Sequence, residues 1–196
     1  MSSVSAIVLA AGFARRMQEK QKLLLPLQQK PILGWVLESL ATLPLGETIV
    51  VVQSTAPFRH LLASFPVRWV ENPEAECGLA RSIQYGVRAA SDAATGYLFV
   101  LGDMPKVQPR TYATLLHQHN RFPDRILVPR YHGQRGNPVL FPAHFRDALL
   151  QLSGDQGARP LLQHYADQVR WLDLDDPGIL IDVDTEADYQ HLLQQS

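Results

Sequence analysis

The chain has 196 residues, 46% of them hydrophobic, a formal net charge of -1 and one cysteine, Cys77. That composition supports a buried core and excludes a disordered polymer. The near-neutral balance gives no global basic field for nucleic acid, and a lone cysteine allows no internal disulfide, as in a reducing compartment.

No run approaches the ~18 apolar residues of a membrane span. The apolar stretch near the N-terminus lacks a basic n-region, so the sequence predicts no signal peptide, no membrane partner and a cytoplasmic protein. Residues 6–9 read as a short buried strand. The small-residue turn Ala10-Ala11-Gly12 follows, then the cations Arg15, Arg16, Lys20 and Lys22. Pro31 opens a helix carrying Ile32, Leu33, Trp35, Val36, Leu37 and Leu40, which Pro44 and Gly46 end. Residues 49–52 predict a strand, 58–65 a short helix and 67–70 a third strand, leading into a polar loop over 71–77. Residues 78–90 place Leu79, Ile83, Val87 and Ala90 on one helical face. A strand over 97–101 stops at Gly102-Asp103-Met104-Pro105. Tyr112, Leu115 and Leu116 mark another helix, and strands at 126–128 and 139–141 flank a polar loop over 130–137. Helices are predicted at 145–152, 158–165 and 186–193, and strands at 169–172 and 179–183. This alternation implies an α/β fold, doubly wound, with a mainly parallel sheet, a mixed edge after Ile126 and helices on both faces. No linker or repeat divides the chain, so one domain over 1–196 is expected.

Ligands in open parallel sheets bind outside the carboxyl ends of the strands. The turn after residue 9 and Asp103 after residue 101 are therefore expected to face one crevice. Small residues at 10–12 let backbone N–H groups approach phosphate oxygens. Arg16 and Lys22 supply a planar fork and a point charge for phosphates. On charge alone this stretch reads first as a solvated basic loop. Neither G-x-x-x-x-G-K-[ST] nor G-x-G-x-x-G is present, which disfavours a P-loop and a nicotinamide oxidoreductase. Asp103 is placed to hold Mg²⁺ against phosphates, or else to form a turn or cap a helix. In Ile181-Asp182-Val183-Asp184-Thr185 the two carboxylates point the same way if the chain is extended. One of them completes a metal site, unless Asp184 or Thr185 caps the following helix.

Taken together, L-A-A-G-x-x-x-R-M and K-L-L-x-P, N-P-x-x-x-x-G-L-x-x-S, G-D-M-P, G-x-P-V-L and D-x-D-T-x-x-D run from Leu9 to Asp188. In this order the motifs resemble the MobA-like nucleotidyltransferases, and most of all the molybdenum cofactor cytidylyltransferases. The resemblance implies a Rossmann-like nucleotidyltransferase fold. It also implies Mg²⁺-dependent transfer of a nucleoside monophosphate to a phosphorylated acceptor, with loss of pyrophosphate. By this resemblance Leu9, Ala10, Ala11 and Gly12 contact base and phosphates, Arg16 and Lys22 hold the triphosphate, and Asn72, Pro73, Gly78 and Ser82 line the nucleotide side. Asp103 and Asp184 would be metal ligands. Gly136, Asn137 and Pro138, with Asp155, Gly157 and Arg159, would face the pterin acceptor. Ala11, in place of the glycine of guanylyl-transferring members, implies CTP. The expected partners are these small molecules and, transiently, a recipient molybdoenzyme. The family's R-M-G-x-x-K is altered: Met17 is followed by Gln18-Glu19-Lys20-Gln21-Lys22. Matching back from Pro26 makes Lys22 the equivalent lysine, with Lys20 the alternative. Other readings are GTP as donor, a sugar or polyol phosphate as acceptor, or a non-catalytic cofactor-holding chaperone.

The histidines form no site: His117 and His119 cannot share a helical face, and His132 falls in a loop where a substrate contact is conceivable. Cys77 and the tryptophans Trp35, Trp69 and Trp171 are expected to be packing residues.

Overall fold

The computed structural model describes residues 3–12 and 22–194. The first strand, β1 (Val4–Leu9), is buried along its whole length, as a central strand must be when both faces are covered. After the turn at 10–12, a 3₁₀ turn at Lys22–Leu24 leads into a two-strand antiparallel ribbon, β2 (Pro26–Leu27) and β3 (Lys30–Pro31). Helix α1 (Ile32–Ala41) starts directly after Pro31. Then come β4 (Glu47–Val52), α2 (Ala56–Leu61), β5 (Arg68–Glu71), α3 (Leu79–Ala89), β6 (Gly96–Leu101) and α4 (Pro109–Arg121). The remainder comprises β7 (Ile126–Tyr131), β8 (Gln134–Arg135), β9 (Val139–Pro142), α5 (Arg146–Leu150), α6 (Arg159–His164), β10 (Val169–Asp173) and α7 (Glu186–Gln194).

Seven strands form one sheet in the order β10-β7-β9-β6-β1-β4-β5, with β8 added beside β7. The pairs β1–β4, β1–β6, β4–β5 and β7–β10 are parallel. β9 runs against both β6 and β7, which is the mixed edge anticipated after Ile126. Alternate side chains leave opposite faces of each strand, and each face has its own core. Val4, Ala6 and Val8 pack with α1, α4 and α7 through Leu33, Leu37, Tyr112, Leu115 and Leu192. Ile7 and Leu9 pack with α3, α5 and α6 through Ile83, Val87, Leu149 and Leu162. The sheet is therefore doubly wound, with helices on both faces.

Residues 179–183 do not form a strand. Pro177–Leu180 is a 3₁₀ turn, begun by Pro177 with its preset φ and closed by the Asp176 carboxylate, which accepts from the Gly178 N–H at 2.9 Å. The apolar alternation of Ile179, Ile181 and Val183 comes from packing: Ile179 and Val183 are buried beneath the turn. Cys77 and Trp171 also depart from expectation. Cys77 is exposed. Trp171, on an edge strand, is 42% exposed and lies under the Arg130 guanidinium. Trp35 and Trp69 are half-buried. His119 is buried and His117 exposed.

Candidate active site

β1 and β6 end side by side, with Leu9 paired to Leu101. Past their carboxyl ends lies a cleft of about 380 Å³. Leu9, Ala10, Ala11 and Gly12 line it, as do Lys22, Gly78, Ser82, Asp103, Asp155, Asp182 and Asp184. The turn at 10–12 is fixed from both sides: the Ala10 N–H donates to Val51 O at 2.8 Å, and Gly102 N–H to Leu9 O at 3.1 Å. Among the described residues a Cβ on Gly12 would meet nothing within 4 Å, and this glycine lines the cleft. Arg15, Arg16 and Lys20 lie outside the described residues.

Lys22 is held over the cleft by its neighbours. Leu23 is buried in the α1-side core, Leu25 N–H closes the turn onto Lys22 O at 3.1 Å, and the Tyr189 hydroxyl of α7 donates to Pro26 O at 2.5 Å. The ammonium donates to Asp103 Oδ2 at 2.7 Å and to Asp184 Oδ1 at 2.8 Å. Burial alone pulls the Lys22 pKa down, but the charges and hydrogen bonds of Asp103 and Asp184 outweigh it and leave it raised. Lys22 is thus a fixed cation at any physiological pH.

The two carboxylates come from the middle and the last part of the chain and are joined through the backbone. Val183 N–H donates to Asp103 O at 3.1 Å, which brings residues 182–184 against the Asp103 loop. The capping alternative for the Asp184 side chain fails on geometry. Thr185 and Asp188 form the reciprocal cap of α7: Asp188 Oδ2 accepts from Thr185 N at 2.7 Å and Asp188 N–H donates to Thr185 Oγ1 at 3.2 Å. The Asp184 side chain therefore takes no part in capping and faces Lys22. Asp182 also lines the cleft. Burial, then the charges of Asp184 and Asp103, raise its pKa.

Glu76, Asp103, Asp155, Asp182 and Asp184 against the Lys22 ammonium, among the described residues, make this cleft electron-rich. All of the donors are hard oxygens, and among the described residues no cluster of three or more His, Cys, Asp or Glu is arranged to hold a metal. Such a set fits a small hard dication that takes one or two carboxylates and completes its shell with phosphate oxygens.

The other anticipated residues divide. Asn72 is fully buried behind the cleft; its Nδ2 donates to Ser82 Oγ at 3.0 Å and its Oδ1 accepts from Glu74 N. It positions Ser82 and the turn. Pro73 is exposed and does not line the cleft. Gly78 (φ 100) touches the 154–155 loop so closely that a Cβ would lie 2.6 Å from Gly154 O. That loop caps α3: Asp155 Oδ1 accepts from Leu79 N at 3.2 Å and Gly154 O from Ala80 N at 3.1 Å. Asn137, Asp155, Gly157 and Arg159 line an adjoining cavity of about 340 Å³. Gly136 packs under Ile179, and buried Pro138 follows a cis peptide bond. His132 sits in the exposed β7–β8 turn and lines neither space. Sequence reasoning missed Arg135, whose polar loop gave no sign of a wall position, and Asp176, whose role depends on long-range partners.

A doubly wound sheet with this cleft at its carboxyl edge is the architecture of an α/β nucleotidyltransferase. The chain belongs to the MobA-like NTP transferase domain family, whose model matches residues 6–169. It is 31% identical over 197 residues to the purine catabolism protein PucB of Bacillus subtilis, covering 93% of this chain and 92% of that one. It is 29% identical over 199 residues to the nicotine blue oxidoreductase of Paenarthrobacter nicotinovorans, covering 97% and 96%. Against the bifunctional protein GlmU of Zymomonas mobilis it is 36% identical over 121 residues, and spans only 26% of that protein's length. The crystal structure of Rv0371c from Mycobacterium tuberculosis superposes with a TM-score of 0.87 at 28% identity, covering 98% of each chain. A complex of Rv0371c with manganese gives 0.82 over 100% of each.

Proposed function

We propose that the protein is a cytidylyltransferase that moves CMP from CTP to the terminal phosphate of molybdopterin or the molybdenum cofactor, with Mg²⁺ as its metal. The observation that carries this reading is the Lys22 ammonium held by Asp103 and Asp184 beside the Leu9–Gly12 turn. Membership of the family and the manganese complex of a structural relative support metal-dependent nucleotidyl transfer in general. Ala11, 4% exposed on the cleft wall, supports the pyrimidine, since its methyl takes room a purine would need.

In this mechanism the turn at 10–12 holds base and phosphates and Lys22 neutralises the triphosphate. Asp103 and Asp184 are the residues that would hold the metal, which when bound draws charge from the α-phosphate oxygens and the leaving pyrophosphate. An oxygen of the acceptor phosphate bonds to the α-phosphorus. The bond to the α,β-bridging oxygen breaks, and its electron pair leaves with pyrophosphate. The attacking phosphate is already ionised at neutral pH, so the chain's contribution is positioning and charge, with no general base required. The reading also includes a cytoplasmic location and a transient molybdoenzyme partner for the product.

The test is pyrophosphate release from CTP and from GTP, each with Mg²⁺ and molybdopterin. Turnover with CTP at least about tenfold above GTP is expected; equal or faster turnover with GTP sinks the cytidine assignment. The name of the nicotine blue oxidoreductase relative favours one other reading, an oxidation–reduction reaction. NAD(P)H consumption in a parallel assay, with no pyrophosphate released from any nucleotide, would establish it instead.

A further inference from the structure

The nucleotidyl-transfer reading gives Lys22 to the phosphates and Asp103 and Asp184 to the metal, yet the observed geometry joins Lys22 to the two acids. Its Nζ stands 2.7 Å from Asp103 Oδ2 and 2.8 Å from Asp184 Oδ1, so the ammonium fills the point where the two side chains converge. Oxygens engaged in this way have no room between them for a dication, which approaches carboxylates more closely than an ammonium does and is repelled by it. The two roles are therefore not filled at once. The backbone at Lys22 is anchored, since Leu23 is buried and the Leu25 N–H closes onto Lys22 O; the movable part is the four-carbon stem. Ala11 and Gly12 line the same cleft, so phosphates seated on that turn share one space with the ammonium. The Asp184 side chain is 53% exposed and that of Asp103 20%. Water screens the Asp184 contact more, which makes it the easier one to release.

We propose that Lys22 is the positioning residue of the metal site: it holds Asp103 and Asp184 together in advance, keeps divalent cations off them, and yields them when nucleotide phosphates take the ammonium. This rests on the nucleotidyl-transfer reading and adds to it an order of binding, in which the two acids accept a metal together with the nucleotide and not before it. Without the ammonium, Asp103 and Asp184, with Asp182 on the same cleft wall, would repel one another and spread. With it they are already converged when the substrate arrives, so little reorganisation is left for the reaction itself. Lysine suits the exchange better than arginine. Its ammonium is a point charge with rotatable donors, whereas a guanidinium fork grips a carboxylate through two parallel bonds.

The experiment titrates Mn²⁺ without nucleotide into the wild-type protein, Lys22→Met, Lys22→Gln and Lys22→Arg, following the free ion by electron paramagnetic resonance. Mg²⁺·CTP is titrated into each by calorimetry. Lys22→Met and Lys22→Gln should bind Mn²⁺ at least about tenfold more tightly than wild type, and Mg²⁺·CTP about tenfold more weakly. Lys22→Arg keeps the charge and should hold Mn²⁺ within about threefold of wild type. The opposite signs are the diagnostic readout, because a lysine that only supported the local structure would weaken both ligands when lost. Adding Asp103→Asn to Lys22→Met should remove the gain in Mn²⁺ affinity, which locates the ion. Circular dichroism checks each fold, and Lys22→Gln, which keeps a donor for the acids, carries the test if Lys22→Met does not fold. Two outcomes overturn the proposal: folded neutral variants that bind Mn²⁺ no more tightly than wild type, or a gain that survives Asp103→Asn. The two readings fail separately. If the neutral variants gain Mn²⁺ but wild type releases pyrophosphate from no nucleotide, the positioning role stands and the transferase reading falls. If wild type turns over CTP and the neutral variants gain nothing, the reverse holds.

Discussion

Replacing Asp176 should damage both the fold and the site, although it lies outside the cleft. The carboxylate is 1% exposed. Its Oδ2 accepts from Gln108 N at 3.0 Å and Thr111 Oγ1 at 2.6 Å, and its Oδ1 accepts from Gly178 N at 2.9 Å. It therefore pins the start of α4 to the turn that leads into Asp182 and Asp184. Alanine strands three buried donors. Each such donor costs about 1–3 kcal/mol; the losses share one site and do not simply add, so a total of about 3–5 kcal/mol, the upper range for a single substitution, sets the scale. For a chain of this size each kcal/mol lowers the melting temperature by about 2–4 °C, giving a drop of about 6–20 °C. Asparagine keeps an oxygen for Gln108 and Thr111 but turns an amide N–H toward Gly178, so it should lose about 1–3 kcal/mol. Melting curves followed by circular dichroism at pH 7 read both variants. Stabilisation by Mg²⁺·CTP, measured in the same melts, should shrink in parallel as residues 182–184 lose their tether. An alanine variant melting within about 2 °C of wild type, or an asparagine variant as damaged as the alanine, would refute the reasoning.

Asp103→Asn and Asp184→Asn should each lower Mg²⁺-dependent pyrophosphate release by about 10²–10³, the scale of removing one preorganised charged partner, and chelation with EDTA should abolish it; Asp103→Asn retaining activity within about threefold would remove that residue from the metal site. Gly78→Ala places a side chain at φ 100 and 2.6 Å from Gly154 O. Strain of about 1–3 kcal/mol should lower the melting temperature by about 2–12 °C, and loosening the loop that walls both cavities should weaken CTP binding; an unchanged melt would argue against that contact. His119 is 1% exposed, and burial lowers its pKa against the opposing effects of the Thr95 backbone and Asp124. As pH falls below about 6.5 the unfolded histidine takes up a proton that the folded one refuses, so stability drops by at most ~1.4 kcal/mol per unit until the folded pKa is passed, with no contribution above that window. His119→Gln should melt with a shallower pH dependence between pH 7 and 5; parallel curves would contradict this.

The fold was largely readable because each central strand is a short β-branched or aromatic run and each helix shows an apolar face. The two-residue strands β2, β3 and β8 carry no periodic signal, since pairing that short is decided by what surrounds it. Residues 179–183 misled because alternation marks burial on one side and not extended conformation; Asp176 and Pro177 determine the turn, and the partners of Asp176 lie 65 and 68 residues away. In the cleft, the turn at 10–12 and Asp103 followed from where strands end. The pairing of Lys22 with Asp184 spans 162 residues, and nothing local announces it; the resemblance put both residues at one site but did not give their ion pair. Arg135 was hidden for a related reason. A cation in a polar loop reads as solvated until folding sets Phe99 and Val139 around the same space.

The reversed direction of β9 has an evolutionary consequence. A chain leaving β7 at the carboxyl edge re-enters the sheet through β9 at that same edge, so residues 132–138 form an excursion that begins and ends beside the second cavity. Arg135 and Asn137 are carried on it, while β1, β6 and Lys22 are ordered by contacts elsewhere. On the nucleotidyl-transfer reading, changes at residues 132–135 can retarget the choice of acceptor, whereas Gly136 and Asn137 also hold Ile179 and with it the turn that leads to Asp182 and Asp184. One scaffold could in this way supply a lineage of transferases that differ in what they modify and share how they do it.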